Sequence, residues 1–176
     1  MGASAVTTST RISLREYQLA LSEWLQNAGS GAALPSKLGL QVGAEGWLVE
    51  LLDAAEVIPV PAISPVPLAR AWFRGVASVR GNLYSVSDFS AFLGGEPVKL
   101  SAEARLLVLN ERFRCGAALL VARSLGLRAA GELTPESVAT PLPWVRGQYS
   151  DAEGRIWKEL DIAALVQHEA FLEVGA

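Results

Sequence analysis

The tetrapeptide Trp72-Phe73-Arg74-Gly75 returns 72 residues later as Trp144-Val145-Arg146-Gly147, and Leu83-Tyr84 through Asp88-Phe89 returns as Ile156-Trp157 through Asp161-Ile162. Two strand-like segments echoed in one order mark a duplicated structural unit. Each copy carries a turn glycine between its strands, Gly81 in the first and Gly154 in the second. Free sheet edges are a liability, so the simplest fold is two related strand groups, each closed into a small barrel.

The first copy, Trp72 to Phe89, has the chemistry of a hairpin. Val76 and Val79 to Val86 supply β-branched and aromatic residues on either side of Arg80-Gly81-Asn82. Gly81 takes the positive φ of a tight turn without steric cost, and Asn82 tolerates it better than most residues. Arg80 is thereby held at a rigid bend. Its planar, permanently charged guanidinium suits a fixed contact with a carboxylate or carbonyls of another protein, while a plain solvated tip is the alternative reading. The other notable polar residues of the stretch, Arg74 and Asp88, have no catalytic companion in the sequence around them.

Strand patterns continue on both sides. Leu38, Leu40 and Val42 alternate with Gly39, Gln41 and Gly43, and Ala44-Glu45-Gly46 supplies a turn before Trp47 to Glu50, which predicts a hairpin. Leu51 to Glu56 has helix-favouring residues. Pro61, Pro65 and Pro67 make Val60 to Pro67 an extended connector, whose stiffness would also suit docking into a partner's groove, and Leu68 to Trp72 reads as one helical turn. After Gly94-Gly95-Glu96-Pro97 come strands at Ala104 to Leu109, Arg112 to Ala122 and Leu125 to Ala130, with a turn near Asn110-Glu111.

Two helices frame these strands. Ser13 and Glu16 form a capping box, and Leu14, Tyr17, Leu21, Trp24 and Leu25 make one apolar stripe that ends before a Gly/Ser exit. That stripe packs on the chain's own strands or docks on a partner; both readings stay open at this point. Asp161 is placed to cap a C-terminal amphipathic helix running to about Leu172, and Asp88 to cap a short one at Phe89.

The sequence offers little support for catalysis. His168 is the only histidine and Cys115 the only cysteine, so neither a Ser-His-Asp set, an intramolecular disulfide nor a cysteine metal cage is indicated. No phosphate-binding glycine loop is found, and no cofactor is implied. A net charge of −3 with no lysine run argues against a nucleic-acid partner. The longest apolar run, Gly116 to Ala122, is far short of a membrane span, and the N-terminus lacks a secretion pattern, so the expected compartment is the cytoplasm. At 176 residues and 51% apolar composition the chain suffices for one domain with a sizeable core, or two lobes sharing one.

The run Gly75 to Phe89, GVASVRGNLYSVSDF, resembles the signature of CheW-like domains, roughly G-V-x-N-L-R-G-x-I-x-P-V-x-D-L, through Gly75, Arg80, Gly81 and Asp88. Glu56 to Pro59 and Ile63 to Pro67 resemble the approach to that signature. Ser78, Ser85 and Ala122 depart from it, standing where the family has asparagine, proline and aspartate. The form of Trp72 to Leu83 and the N-terminal helix incline the resemblance to the PilI-like branch of type IV pilus chemosensory adaptors. It implies a mainly β fold of two intertwined SH3-like five-stranded barrels over residues 32–176, with an added N-terminal tail and helix over 1–31 and a C-terminal helix. It further implies a non-catalytic adaptor that couples the cytoplasmic tip of a methyl-accepting chemoreceptor to the regulatory domain of a CheA-type histidine kinase in the control of twitching motility, without insertion into the membrane. Carried over by position, Arg80, its turn neighbours Val79 and Gly81, and Gly75 and Val76 on the adjacent strand are the partner-binding residues. A β-barrel module for another ligand or a nucleic acid, and a CheW-like scaffold outside pilus signalling, are the competing readings.

Overall fold

In the computed structural model, which describes residues 35–176 apart from Thr140, the chain forms twelve strands in two sheets. The expected helix at Leu14 to Leu25 lies outside the described residues. The strands are β1 (Pro35–Val42), β2 (Glu45–Glu50), β3 (Ala54–Pro59), β4 (Ile63–Ser64), β5 (Phe73–Val79), β6 (Asn82–Asp88), β7 (Arg105–Leu109), β8 (Ala117–Val121), β9 (Arg123–Ala129), β10 (Thr134–Glu136), β11 (Val145–Ser150) and β12 (Ile156–Leu160). Two short helices follow strand ends, α1 (Phe89–Phe92) and α2 (Ile162–Gln167), and a third, α3 (Glu169–Leu172), follows α2. None is long and apolar enough to cross a membrane.

Sheet A runs β10-β11-β12-β2-β1-β9 and sheet B runs β4-β5-β6-β8-β7-β3. These are the same sheet built twice. In each, an antiparallel hairpin (β5–β6 or β11–β12) joins a second one (β7–β8 or β1–β2) through a parallel contact, β6 on β8 and β12 on β2. The duplicated halves have exchanged parts: β1–β2 from the first half sits in sheet A with β9–β12, and β7–β8 from the second half sits in sheet B with β3–β6. Each sheet therefore depends on both halves of the chain. The sixth strand in each is a short edge, β4 with two residues and β10 with three, so five strands of ordinary length remain per sheet.

The exchange explains the sequence of β7 and β8, RLLVL and AALLV, which are apolar without alternation. Leu107, Leu109, Ala117, Leu119 and Val121 enter the large cluster shared with Leu38, Leu40, Trp47 and Leu160 of sheet A, while Leu106, Val108, Ala118 and Leu120 fill the inside of sheet B with Val79 and Val86. Strands buried on both faces read as continuous apolar runs. The interior of sheet A is smaller and mixed: Leu48, Leu133 and Trp157 are accompanied by Lys37, which donates to Glu50 and, over 2.6 Å, to Glu159. Tyr149 donates to the other Glu159 oxygen at 2.8 Å. Burial alone would push the Glu159 carboxyl up, yet the hydrogen bonds from Lys37 and Tyr149 and the charges of Lys37 and Arg146 hold it below its ordinary value. Burial likewise opposes the Lys37 ammonium, and its two glutamate partners outweigh that and raise it.

Local expectations meet four adjustments. Leu51 to Glu56 is helical only in its first half, a 3-10 turn over Leu51–Asp53, after which β3 begins at Ala54. Leu68 to Trp72 is not a helical turn: Leu68 has φ 56°, and Arg70 N–H donates to the Val174 carbonyl, tying the connector to the C-terminal residues instead. The strand expected from Arg112 begins only at Ala117, because Arg114 at φ 51° and Gly116 at φ 53° turn the backbone left-handed after a 3-10 turn. The C-terminal helix is broken at His168, whose extended backbone (ψ 133°) ends α2 and whose Nδ1 accepts from Ala170 N–H to cap α3.

Candidate functional site

The β5–β6 hairpin closes with Val79 opposite Asn82, so Arg80 and Gly81 are its two turn residues, at φ 51° and 83°. Two successive left-handed residues make the turn whose twist matches paired strands. Beside Gly81, the other left-handed position thus falls on Arg80, where the sequence pointed to Asn82. An arginine in this region is unfavourable on its own, and it is held by a forked ion pair. Arg80 Nε lies 3.1 Å from both oxygens of Glu56, and Nη2 lies 3.0 Å from Oε2. Those hydrogen bonds, then the Glu56 charge, raise the guanidinium above its ordinary value. The arginine side chain is 78% exposed and the glutamate 19%, so the carboxylate is the fixed member and the guanidinium the presented one.

Beneath the tip a groove of about 310 Å³ opens between β3, the hairpin and the Asn110–Glu111 corner. Val79 forms part of its apolar floor, with Tyr84 and Asn82 rising along β6. Sequence reasoning did not single out Glu56, Asn110 or Glu111 for this place. The trace available was Glu56 itself, a charged residue inside the otherwise apolar β3, AAEVIP.

The remaining expected residues lie along the same strand. Val76 is half-buried and pairs with Ser85 and with Ser64 of β4. Gly75 is buried at φ 125°, and a Cβ there would stand 2.0 Å from the Ser64 carbonyl oxygen. Only glycine lets β4 lie this close. One position earlier the register shifts, and Arg74 turns inward to donate from Nη1 to Asp88 Oδ2 at 3.1 Å. The duplicated copy repeats the device: the register shifts between Val145 and Gly147, and Arg146 Nη2 lies 3.4 Å from Asp161 Oδ2. Both aspartates cap the helix that follows, accepting from Ala91 and Ala164 N–H at 3.0 Å, and their own N–H groups donate to the Trp72 and Trp144 carbonyls. The two tryptophans meet around Phe92, with ring centroids 5.2 and 5.1 Å away.

The CheW-like domain family matches residues 37–170. The chain belongs to the CheW-like family. This CheW-like chain is 29% identical over 145 residues to Protein PilI of Pseudomonas aeruginosa, covering 80% of each, which supports the PilI-like branch. Its fold is similar to the crystal structure of scaffolding protein TtCheW from Thermoanaerobacter tengcongensis, with a TM-score of 0.63 over 78% of this chain and 96% of that one, at 16% identity. The CheW-like assignment makes it a coupling or scaffolding protein and gives the repeated sheets, the Arg80 tip and the two capped bulges one common frame.

Proposed function

We propose that this protein is a cytoplasmic chemosensory adaptor that couples a methyl-accepting receptor to the regulatory domain of a CheA-type histidine kinase in control of type IV pilus-dependent twitching. Membership of the CheW-like family and the relation to Protein PilI support this reading. The observation that carries the docking site is Arg80: an exposed guanidinium on a strained left-handed backbone, braced from behind by a mostly buried carboxylate. Strain retained at an exposed tip points to use rather than to packing. Arg80 Nη1 is outside the fork with Glu56 and is the nitrogen left to donate to a partner. Gly81 permits the turn, Val79 anchors its base in the core of sheet B, and Gly75 and Val76 fix the strand that carries it. The work done is positional, so receptor state reaches the kinase only if the bridge contacts its two conformations differently.

Arg80→Ala and Arg80→Glu test this. Because the Arg80 guanidinium is largely exposed, the melting temperature of Arg80→Ala stays close to wild type, while in both variants affinity for the kinase regulatory domain or the receptor tip falls about tenfold or more, as for an interface arginine. An unaltered binding isotherm for both partners removes Arg80 from the site.

A further inference from the structure

The groove under the hairpin tip contains a charge that its own residues do not compensate. Glu56 and Arg80 neutralise one another through contacts of 3.0–3.1 Å. Glu111, in the 3-10 turn on the other rim, is exposed and takes part in no ion pair among the described residues. The nearest cation in sequence, Arg112, is committed elsewhere: it is bound to Asp53 and lies over the Phe113 ring at 4.9 Å. Between the rims are the Asn82 carboxamide and the Tyr84 hydroxyl, with no side-chain partner among the described residues, above a floor that includes Val79. Asn110 is kept upright because its Oδ1 accepts from Arg112 N–H at 3.0 Å.

An anion entering this space meets two carboxylates and one guanidinium already chelated, so its approach is unfavourable. A long cationic side chain meets the opposite. Its aliphatic stem lies on the apolar floor and its head finds an unpaired carboxylate, with carboxamide and hydroxyl oxygens as further acceptors. We propose that the groove receives a lysine or arginine side chain of the protein that docks on the β5–β6 tip, with Glu111 as its counter-ion. This rests on the coupling role above and adds the partner chemistry to it: the tip offers a donor in Arg80 and a counter-ion in Glu111, so the matching surface carries a neutral hydrogen-bond acceptor beside a base.

The full chain is titrated with the regulatory domain of a CheA-type kinase and, separately, with a receptor cytoplasmic-tip fragment from the same cell, as wild type, Glu111→Gln and Glu111→Lys, over a series of salt concentrations. For the partner that uses this tip, Glu111→Gln weakens binding about 5-fold and Glu111→Lys about 30-fold, in keeping with loss and then reversal of one interfacial charge. Both variants flatten the salt dependence, and neither moves the melting temperature, since Glu111 is exposed. Wild-type affinity of Glu111→Lys for both probes overturns the assignment. If Arg80→Ala weakens binding while Glu111→Lys does not, docking on the tip stands and the cation is refuted. If neither variant alters either isotherm, or the wild type binds neither probe, the docking surface itself is refuted and the groove assignment falls with it.

Discussion

The two capping aspartates occupy equivalent places in the repeat and carry unequal loads, which makes a sharp test of the duplicated architecture. Asp88 is fully buried: Oδ1 accepts from Ala91 N–H at 3.0 Å, and Oδ2 accepts from Val98 N–H at 2.8 Å and from Arg74 at 3.1 Å. Asp161 keeps the cap and the arginine but no third contact, and its side chain is 27% exposed. Replacing Asp161 by alanine therefore removes a helix cap, at a cost of about 1 kcal/mol. Asp88→Ala loses the same cap and also strands the buried Val98 N–H, which adds about 2 kcal/mol, for a total near 3. Arg74 adds little, because its side chain reaches water. Urea unfolding of the two variants at neutral pH resolves a difference of about 2 kcal/mol, and thermal melting gives a drop of roughly 2–4 °C for each kcal/mol lost. Asp88→Asn falls between, since one carboxamide oxygen cannot serve both amides. Equal losses for the two alanine variants, or Asp88→Ala within about 0.5 kcal/mol of wild type, would refute the reasoning.

Two further outcomes follow from the backbone and the buried charges. Gly75→Ala places a methyl group against the Ser64 carbonyl and costs about 3 kcal/mol or more, whereas Gly81→Ala, at φ 83° with open space around it, costs about 1 kcal/mol of backbone strain; urea midpoints compare them, and parity contradicts the close β4–β5 approach. The Glu159 network sets the pH limits of stability. The depressed Glu159 carboxyl contributes at and above the ordinary carboxylate range and that contribution is lost as pH falls through its folded value. Lys37 and Tyr149 are both raised, Lys37 by its glutamates against burial and Tyr149 by its hydrogen bond to Glu159, so their contribution is present below their ordinary values and disappears as pH climbs past about 10. A pH series of urea midpoints on wild type and Glu159→Gln checks this: a variant curve parallel to wild type at both ends contradicts it.

The local order of the fold is legible in the sequence because its causes are local. Alternation with a glycine turn marks β1–β2 and β5–β6, and Asp88 and Asp161 announce their helices through capping chemistry alone. The echo of Trp72-Phe73-Arg74-Gly75 announces the duplication. What it does not announce is the exchange of hairpins, since the parallel contacts of Ser85–Asp88 with Ala117–Leu120 and of Trp157–Leu160 with Gly46–Val49 join segments with no shared periodicity. The same distance hides the groove under the hairpin tip. Arg80 was visible through its turn, but its brace Glu56 arrives from β3 and Glu111 from beyond β7, each placed by sheet order rather than by spacing. Lys37, Glu50 and Glu159 come together only where β12 lies beside β2.

The bridging role is tested most directly by reconstituting receptor, CheA-type kinase and this protein and measuring kinase autophosphorylation with and without receptor stimulus. The account predicts a stimulus-dependent rate with the wild-type chain, and no such dependence when the chain is omitted or replaced by Arg80→Glu. A kinase that answers the stimulus equally well in all three mixtures would contradict it.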